Sequence, residues 1–385
     1  MRVCILLPPI EFYSPISGGA IATIIMQSAK QLIKRRNEVT ILTPVNKDEV
    51  YDVGNVVKIK SPTRDELPKV PRKIAALRSQ MEGWDWPYYQ YYLNSFRDAL
   101  KSMAPPPDIV IVFNDLVSAQ YIHEVLPRVK VIVWLQNEQG TRQKHVNRAL
   151  AAIDRFITCS AYIRDYTVGR YSVSQEKFSV VHNGVDVDTF TPAPDYLDPH
   201  TPLRTLFIGR IDRNKGPDIA ADAVVAVQQE GLPVSLTVAG GLWFYGHGKE
   251  MEDPYFRSLK EKMDAANAEF IGYVTRPNVP EVVRSHDVVF VLSRSNDPFP
   301  LVTYEAMASG CAVISSNRGG LPEACVGAGI MVDPDDPKAV TDALRKLARD
   351  SDLLNVWKQR SVARAARGSW DVVGEKLNSV LESVL

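Results

Sequence analysis

Two carboxylates and two cations carry the chemistry this sequence offers. In the stretch 293–310, SRSNDPFPLVTYEAMASG, Asp297 stands in a Pro-bounded loop and Glu305 follows after seven intervening residues. A helix read from about Leu301 places its first unpaired N–H groups, those of Leu301 and Val302, where a phosphate could be held. Glu305 then falls roughly 6 Å further along the axis, where a carboxylate can accept two hydrogen bonds from a vicinal diol such as a ribose. Asp297 stands on the opposite side of that phosphate. Upstream, GRIDRNKG at 209–216 supplies Arg210 and Lys215. Two fixed cations could neutralise a diphosphate whose negative charge grows as a bond to it breaks. That makes a metal unnecessary, and no His cluster suggests one. Each feature taken singly also reads as a turn, a solvated helix residue or a surface cation, because short motifs recur by chance.

Strands that end on one sheet edge must position these groups. Residues 1–7 form a short apolar run, followed by a loop to Gly18-Gly19 and a helical stretch over 20–36, which together make half of a nucleotide-fold unit. Adjacent glycines at a helix start let N–H groups approach an anion closely; a plain loop-to-helix turn is the alternative. Further strands are expected over 38–42, 56–60, 108–113, 129–135, 156–159 and 178–181. The 129–135 run ends in Gln136-Asn137-Glu138, polar groups where ligands of open α/β sheets lie. A proline-rich connector over 191–202 marks a boundary. Beyond it the pattern restarts, with strands over 206–208, 234–239, 268–272, 288–292, 311–315 and 330–332. The expected organisation is an α/β domain over 1–190, a linker over 191–202, a second α/β domain over 203–365 and a C-terminal helix over 366–385 returning to the first.

Composition sets the outer bounds. A chain of 385 residues is long enough for two full cores. Its 45 basic residues balance 45 acidic ones, so no nucleic-acid partner is indicated. Residues 1–190 carry 24 Lys+Arg against 19 Asp+Glu, which makes the first half mildly basic and the second mildly acidic. Cys4, Cys159, Cys311 and Cys325 lack metal-type spacing and read as reduced core residues of a cytoplasmic protein. The apolar start is cut by Pro8 and Pro9, too short for a membrane span. Between 69 and 101 lie Trp84, Trp86, Tyr88, Tyr89, Tyr91 and Tyr92 among basic residues. They read as helix packing, with peripheral contact to the inner face of a membrane as the alternative.

From 209 to 310 the chain resembles the donor domain of the retaining family 4 of nucleotide-sugar glycosyltransferases. GRIDRNKG at 209–216 and DPFPLVTYEAMASG at 297–310 carry the likeness, supported by HNGVDVDTF at 182–190 and Gly18-Gly19. The resemblance implies a GT-B fold, with two facing Rossmann-like domains and a cleft between them. It implies a UDP- or GDP-sugar as co-substrate, no other cofactor, and a glycan, glycolipid or small-molecule acceptor, in cell-surface polysaccharide or glycolipid assembly. Carried over to this sequence, it assigns Arg210, Lys215, Leu301 and Val302 to the diphosphate, Glu305 to the ribose and Tyr273-Val274 to the base. Gly18 and Gly19 would close against the phosphates, and Asp297 would touch the transferred sugar. The catalytic residues would be Asp297, Arg210 and Lys215.

Two departures from the family pattern stand out. The family more often has Glu at position 297, and Asp is shorter by one carbon–carbon bond, ~1.5 Å. Where Gly is frequent at position 300, Pro300 removes an N–H but suits a first helical position. Gln136 and Asn137 occupy the place where many relatives have a His, so hydrogen bonding is expected there in place of proton transfer. A sugar-nucleotide epimerase of the same shape would need an acid–base pair that the sequence does not offer. A non-catalytic nucleotide-sugar-binding protein is the reading from a different class, and the joint presence of Arg210, Lys215 and Glu305 argues against it.

Overall fold

Strands that are buried on both faces must be apolar throughout, and the inner strands IVIVF at 109–113 and VVFV at 288–291, one in each sheet of this chain, are built that way. The computed structural model describes residues 1–16, 19–61, 73–74, 76–77, 89–141, 143–242 and 253–385. The chain divides into two units: 1–182 with 371–385, and 183–370.

The first unit holds β1 (Arg2–Leu6), β2 (Glu38–Pro44), β3 (Asn55–Ile59), β4 (Ile109–Phe113), β5 (Lys130–Leu135), β6 (Arg155–Thr158) and β7 (Phe178–Val180). Their spatial order is β3-β2-β1-β4-β5-β6-β7, and every neighbouring pair is parallel. The IVIVF sequence of β4 is buried at all five positions, and Cys4 and Cys159 are buried with the core. On the helix Tyr89–Ser102, Tyr89, Tyr92 and Phe96 turn inward and pack ring against ring. Tyr92 also donates its hydroxyl to the Leu7 carbonyl. These rings serve packing; Arg72, Trp84, Trp86 and Tyr88 lie outside the described residues.

The second unit holds β8 (Leu203–Ile208), β9 (Val234–Ala239), β10 (Glu269–Gly272), β11 (Val288–Val291), β12 (Ala312–Ser316) and β13 (Gly329–Val332). The order β10-β9-β8-β11-β12-β13 is again parallel throughout. In each unit the order reverses beside the first strand, and ligands of such sheets bind outside the carboxyl ends of the strands at that point. In the second unit this point lies between β8 and β11.

Two boundaries differ from the expected ones. Residues 183–190 belong with the second unit, because Val185 forms a bridge with Ser369 and the Asn183 amide donates to the Phe299 carbonyl at 3.0 Å. The C-terminal helical segment is two helices, Ser351–Ala366 and Trp370–Glu382. Gly368 lies in the break, where a Cβ would come within 2.2 Å of the Tyr304 ring. Residues 371–385 group with the first unit, where Asp371 pairs with Lys34 at 2.6 Å and Asn37 donates to Asn378 at 2.8 Å.

Candidate functional site

The loops that leave β8 and β11 lie side by side and are fastened to each other. After β8, Asp212 caps a short helical turn over Arg213–Lys215 by accepting from the N–H groups of Asn214 and Lys215. Gly216 follows at φ +74°, and a Cβ there would stand 2.4 Å from the Leu292 carbonyl oxygen. Only glycine meets both demands. The loop after β11 returns the contact, since the Arg294 N–H donates to the Asn214 carbonyl at 2.7 Å. The Arg294 guanidinium grips Asp218 with two hydrogen bonds of 2.8 and 2.7 Å and reaches the Arg213 carbonyl at 2.6 Å.

That fastening brings Lys215 and Asp297 together across 82 residues of sequence. The Lys215 ammonium donates to Oδ2 of Asp297, which also accepts from the Ser293 hydroxyl at 3.1 Å. Asp297 is buried, yet the Lys215 side chain is 32% exposed, so an anion can reach the cation. The Asp297 loop rests on the turn after β12. The Gly320 N–H donates to the Asp297 carbonyl at 2.8 Å, and Gly319, at φ +58°, would place a Cβ 2.4 Å from that oxygen. Arg210 leaves the end of β8, half exposed, with its guanidinium on Asp212.

Leu301 and Val302 open the helix Leu301–Ala308, so their N–H groups precede the repeating helical bonds. Pro300 is the residue before the helix, with ψ 135°, and not its first member as expected. The missing N–H therefore falls outside the helix, and the helix donors are intact. Glu305 lies on the next turn, buried, and its Oε1 accepts from Arg276. Tyr273 is exposed and Val274 half-buried at the carboxyl end of β10. The described edge thus gathers Arg210, Lys215, Asp297, Leu301 and Val302 at the switch point, with Glu305 one turn deeper and Tyr273-Val274 two strands away.

The first unit presents a different edge. Gly19 precedes the helix Ala20–Lys34, and Gly18 lies outside the described residues. The Glu11 carboxylate accepts the Gly19 N–H, but burial dominates and pushes its pKa up to about 7. Asn114, after β4, accepts the N–H groups of Gln136 at 2.6 Å and Asn137 at 3.3 Å. Next to it, buried Asp115 accepts from Tyr89 at 2.7 Å and Ser118 at 2.6 Å.

The sequence reading missed Arg276, Arg294, Asp218 and Glu11. Arg276 had a signal, because it follows Tyr273-Val274 at a strand's carboxyl end. Asp218 and Arg294 sit 76 residues apart with no motif joining them. Among the described residues, no group of three or more His, Cys, Asp or Glu side chains could hold a metal, and no helix is long and apolar enough to cross a membrane.

Comparisons with known proteins fit this geometry. A family model described as "Glycosyl transferases group 1" matches residues 193–364, and one described as "Glycosyltransferase Family 4" matches residues 18–189. The "Putative glycosyltransferase YtcC" of Bacillus subtilis is 24% identical over 72% of this chain and 73% of its own. A "D-inositol 3-phosphate glycosyltransferase" of Corynebacterium jeikeium is 33% identical over 56% of this chain and 54% of its own. Among solved structures, a sucrose-phosphate synthase from Thermosynechococcus elongatus has a TM-score of 0.75 at 16% identity, covering 100% of this chain and 99% of its own. Anabaena Alr3699/HepE, in complex with UDP-glucose, has a TM-score of 0.73 at 15% identity, covering 100% of each chain. Both structural likenesses bear on the fold. With one family model on each unit, two parallel Rossmann-like sheets and matching neighbours, the chain belongs to family 4 of the glycosyltransferases and has their GT-B fold.

Proposed function

We propose that this glycosyltransferase moves a sugar from a UDP- or GDP-sugar to an acceptor hydroxyl with retention of anomeric configuration, without a metal ion, in cell-surface polysaccharide or glycolipid assembly. The observation that carries the donor assignment is the meeting of Lys215 and Asp297 at the sheet edge where the Leu301–Ala308 helix begins. There a reachable cation, a buried carboxylate and free helix-end donors converge within one short segment.

In this reading the diphosphate lies between Arg210, Lys215 and the N–H groups of Leu301 and Val302. Its ribose meets Glu305, and its base meets Tyr273-Val274. The bond from the anomeric carbon to the diphosphate breaks, and its electron pair stays on the departing oxygen. Arg210 and Lys215 offset the charge that grows there. The acceptor oxygen forms the new bond on the same face and gives its proton to the departing phosphate. Asp297, oriented by Lys215 and Ser293, hydrogen-bonds the transferred sugar.

UDP is favoured as the nucleotide because structural neighbours hold UDP and UDP-glucose. The assembly role is favoured by a neighbour described as a lipopolysaccharide outer core galactosyltransferase. The test is incubation with UDP- and GDP-sugars and simple hydroxyl acceptors, with the anomeric configuration of the product read by NMR, in the presence and absence of EDTA. Retention, unaffected by EDTA, is the expected result. An inverted product, or activity abolished by EDTA and restored by a divalent ion, overturns the mechanism.

A further inference from the structure

One cation at the edge of the second unit has no part in the reading above. Arg276 opens the short helical turn Arg276–Asn278, three residues after Tyr273. Its guanidinium donates to Oε1 of Glu305 and lies over the Phe190 ring, 5.4 Å from the centroid. The Glu305 side chain is 5% exposed and that of Arg276 34%. Glu305 comes from the helix after β11, Arg276 from the segment after β10, and Phe190 from the HNGVDVDTF stretch at 182–190. Three separate segments therefore meet at one guanidinium.

This arrangement restricts how Glu305 can turn. A planar guanidinium resting on an aromatic face has few orientations, and its fork presents donors in fixed directions. A carboxylate held through one oxygen by one arm of such a fork keeps capacity for further donors, since each oxygen accepts more than one hydrogen bond. The pair can therefore persist while a diol is bound.

We propose that Arg276 is a positioning residue for the nucleoside end of the donor: by pinning Glu305 it sets the preference for a ribose over a 2′-deoxyribose. The proposal rests on the reading of Glu305 as the ribose-holding residue. A ribose offers two vicinal hydroxyls to a carboxylate and a 2′-deoxyribose offers one, so the affinity ratio of the two nucleotides reports how well Glu305 is aimed. A residue that only supported the fold would change both affinities by the same factor and leave the ratio alone.

The experiment is calorimetric titration of the intact protein with UDP and 2′-deoxy-UDP, and with GDP and 2′-deoxy-GDP, for the parent, Arg276→Gln, Arg276→Lys and Glu305→Gln. For the nucleotide family that binds, Arg276→Gln should reduce the ribose preference about tenfold, the scale of one hydrogen bond to a charged group. Glu305→Gln should reduce it at least as much. Lysine presents a point charge without the fork, so Arg276→Lys should lose at least about threefold of the preference; it decides the matter if Arg276→Gln does not fold. If Glu305→Gln removes the preference and both Arg276 variants keep it within twofold, the inference is wrong and the ribose site stands. If Glu305→Gln keeps the preference, or neither nucleotide pair binds, the reading of Glu305 falls and the inference falls with it.

Discussion

The two edges of the second unit's sheet both carry ion pairs, but they are built to opposite plans. At the amino edge, Asp287 precedes β11 and accepts from the Arg204 N–H and side chain at 3.0 Å each and from Lys358 at 2.7 Å, with His200 Nδ1 3.0 Å away. Lys358 also donates to the Tyr196 carbonyl at 2.6 Å. Both Asp287 and Lys358 are 1% exposed. Burial pushes the Asp287 carboxyl up, but the hydrogen bonds from Arg204 and Lys358 outweigh it and hold its pKa at about 2. In the Lys215–Asp297 and Arg276–Glu305 pairs of the carboxyl edge only the acids are buried, while Lys215 and Arg276 stay about one-third exposed. A cation meant to meet a ligand cannot be sealed in. One edge ties the connector, the sheet and a helix together, and the other keeps its cations within reach.

That contrast predicts a double dissociation. The largest effect on stability is expected from Asp287→Asn, which strands the Lys358 ammonium in the core. Breaking a buried pair costs about 3–5 kcal/mol, to be seen as a lowered denaturant midpoint, with nucleotide affinity unchanged in the folded protein. Lys215→Ala should act the other way. Transfer should fall by about two orders of magnitude or more, within the range for a lost transition-state charge contact, while stability falls by less than in Asp287→Asn. Equal stability losses in the two variants would erase the distinction between the edges.

Acid sharpens the comparison further. A carboxyl held low when folded contributes stability above its ordinary pKa of 3.8, and that contribution is lost as pH falls towards about 2. The parent should therefore lose stability steeply in that window, and Asp287→Asn should lose less. Glu11 in the first unit predicts a smaller trend of opposite sign. Its pKa is raised from 4.5 to about 7, so the folded state holds the proton more tightly and its contribution declines as pH rises between those values. Glu11→Gln should flatten that part of the melting-temperature profile against pH.

Much of this was legible in the sequence. Parallel strands sheathed on both faces must be continuous apolar runs, so Ile109–Phe113 and Val288–Val291 announce themselves. Arg210, Lys215, Asp297 and Glu305 were legible because local turns and one helix fix their spacing. Lys358 was not: in an amphipathic helix a lysine reads as solvent-facing, and only the fold reveals Asp287, 71 residues away, as its partner. Arg276 had a positional signal after Tyr273-Val274, but its pairing with an acid 29 residues on is visible only in the fold. The unit boundary at His182 depends on Val185 pairing with Ser369, a contact that no local pattern encodes.

The central claim is that the carboxyl edge of the second unit holds a nucleoside diphosphate on Lys215 and its neighbours. The direct measurement is a thermal-shift screen of the parent and Lys215→Ala against UDP, GDP, ADP and dTDP, with and without EDTA, since a ligand bound only by the folded state raises the melting temperature. The account predicts a clear rise with one nucleotide, indifferent to EDTA and largely lost in Lys215→Ala. No rise with any nucleotide, or an equal rise in both proteins, would contradict it.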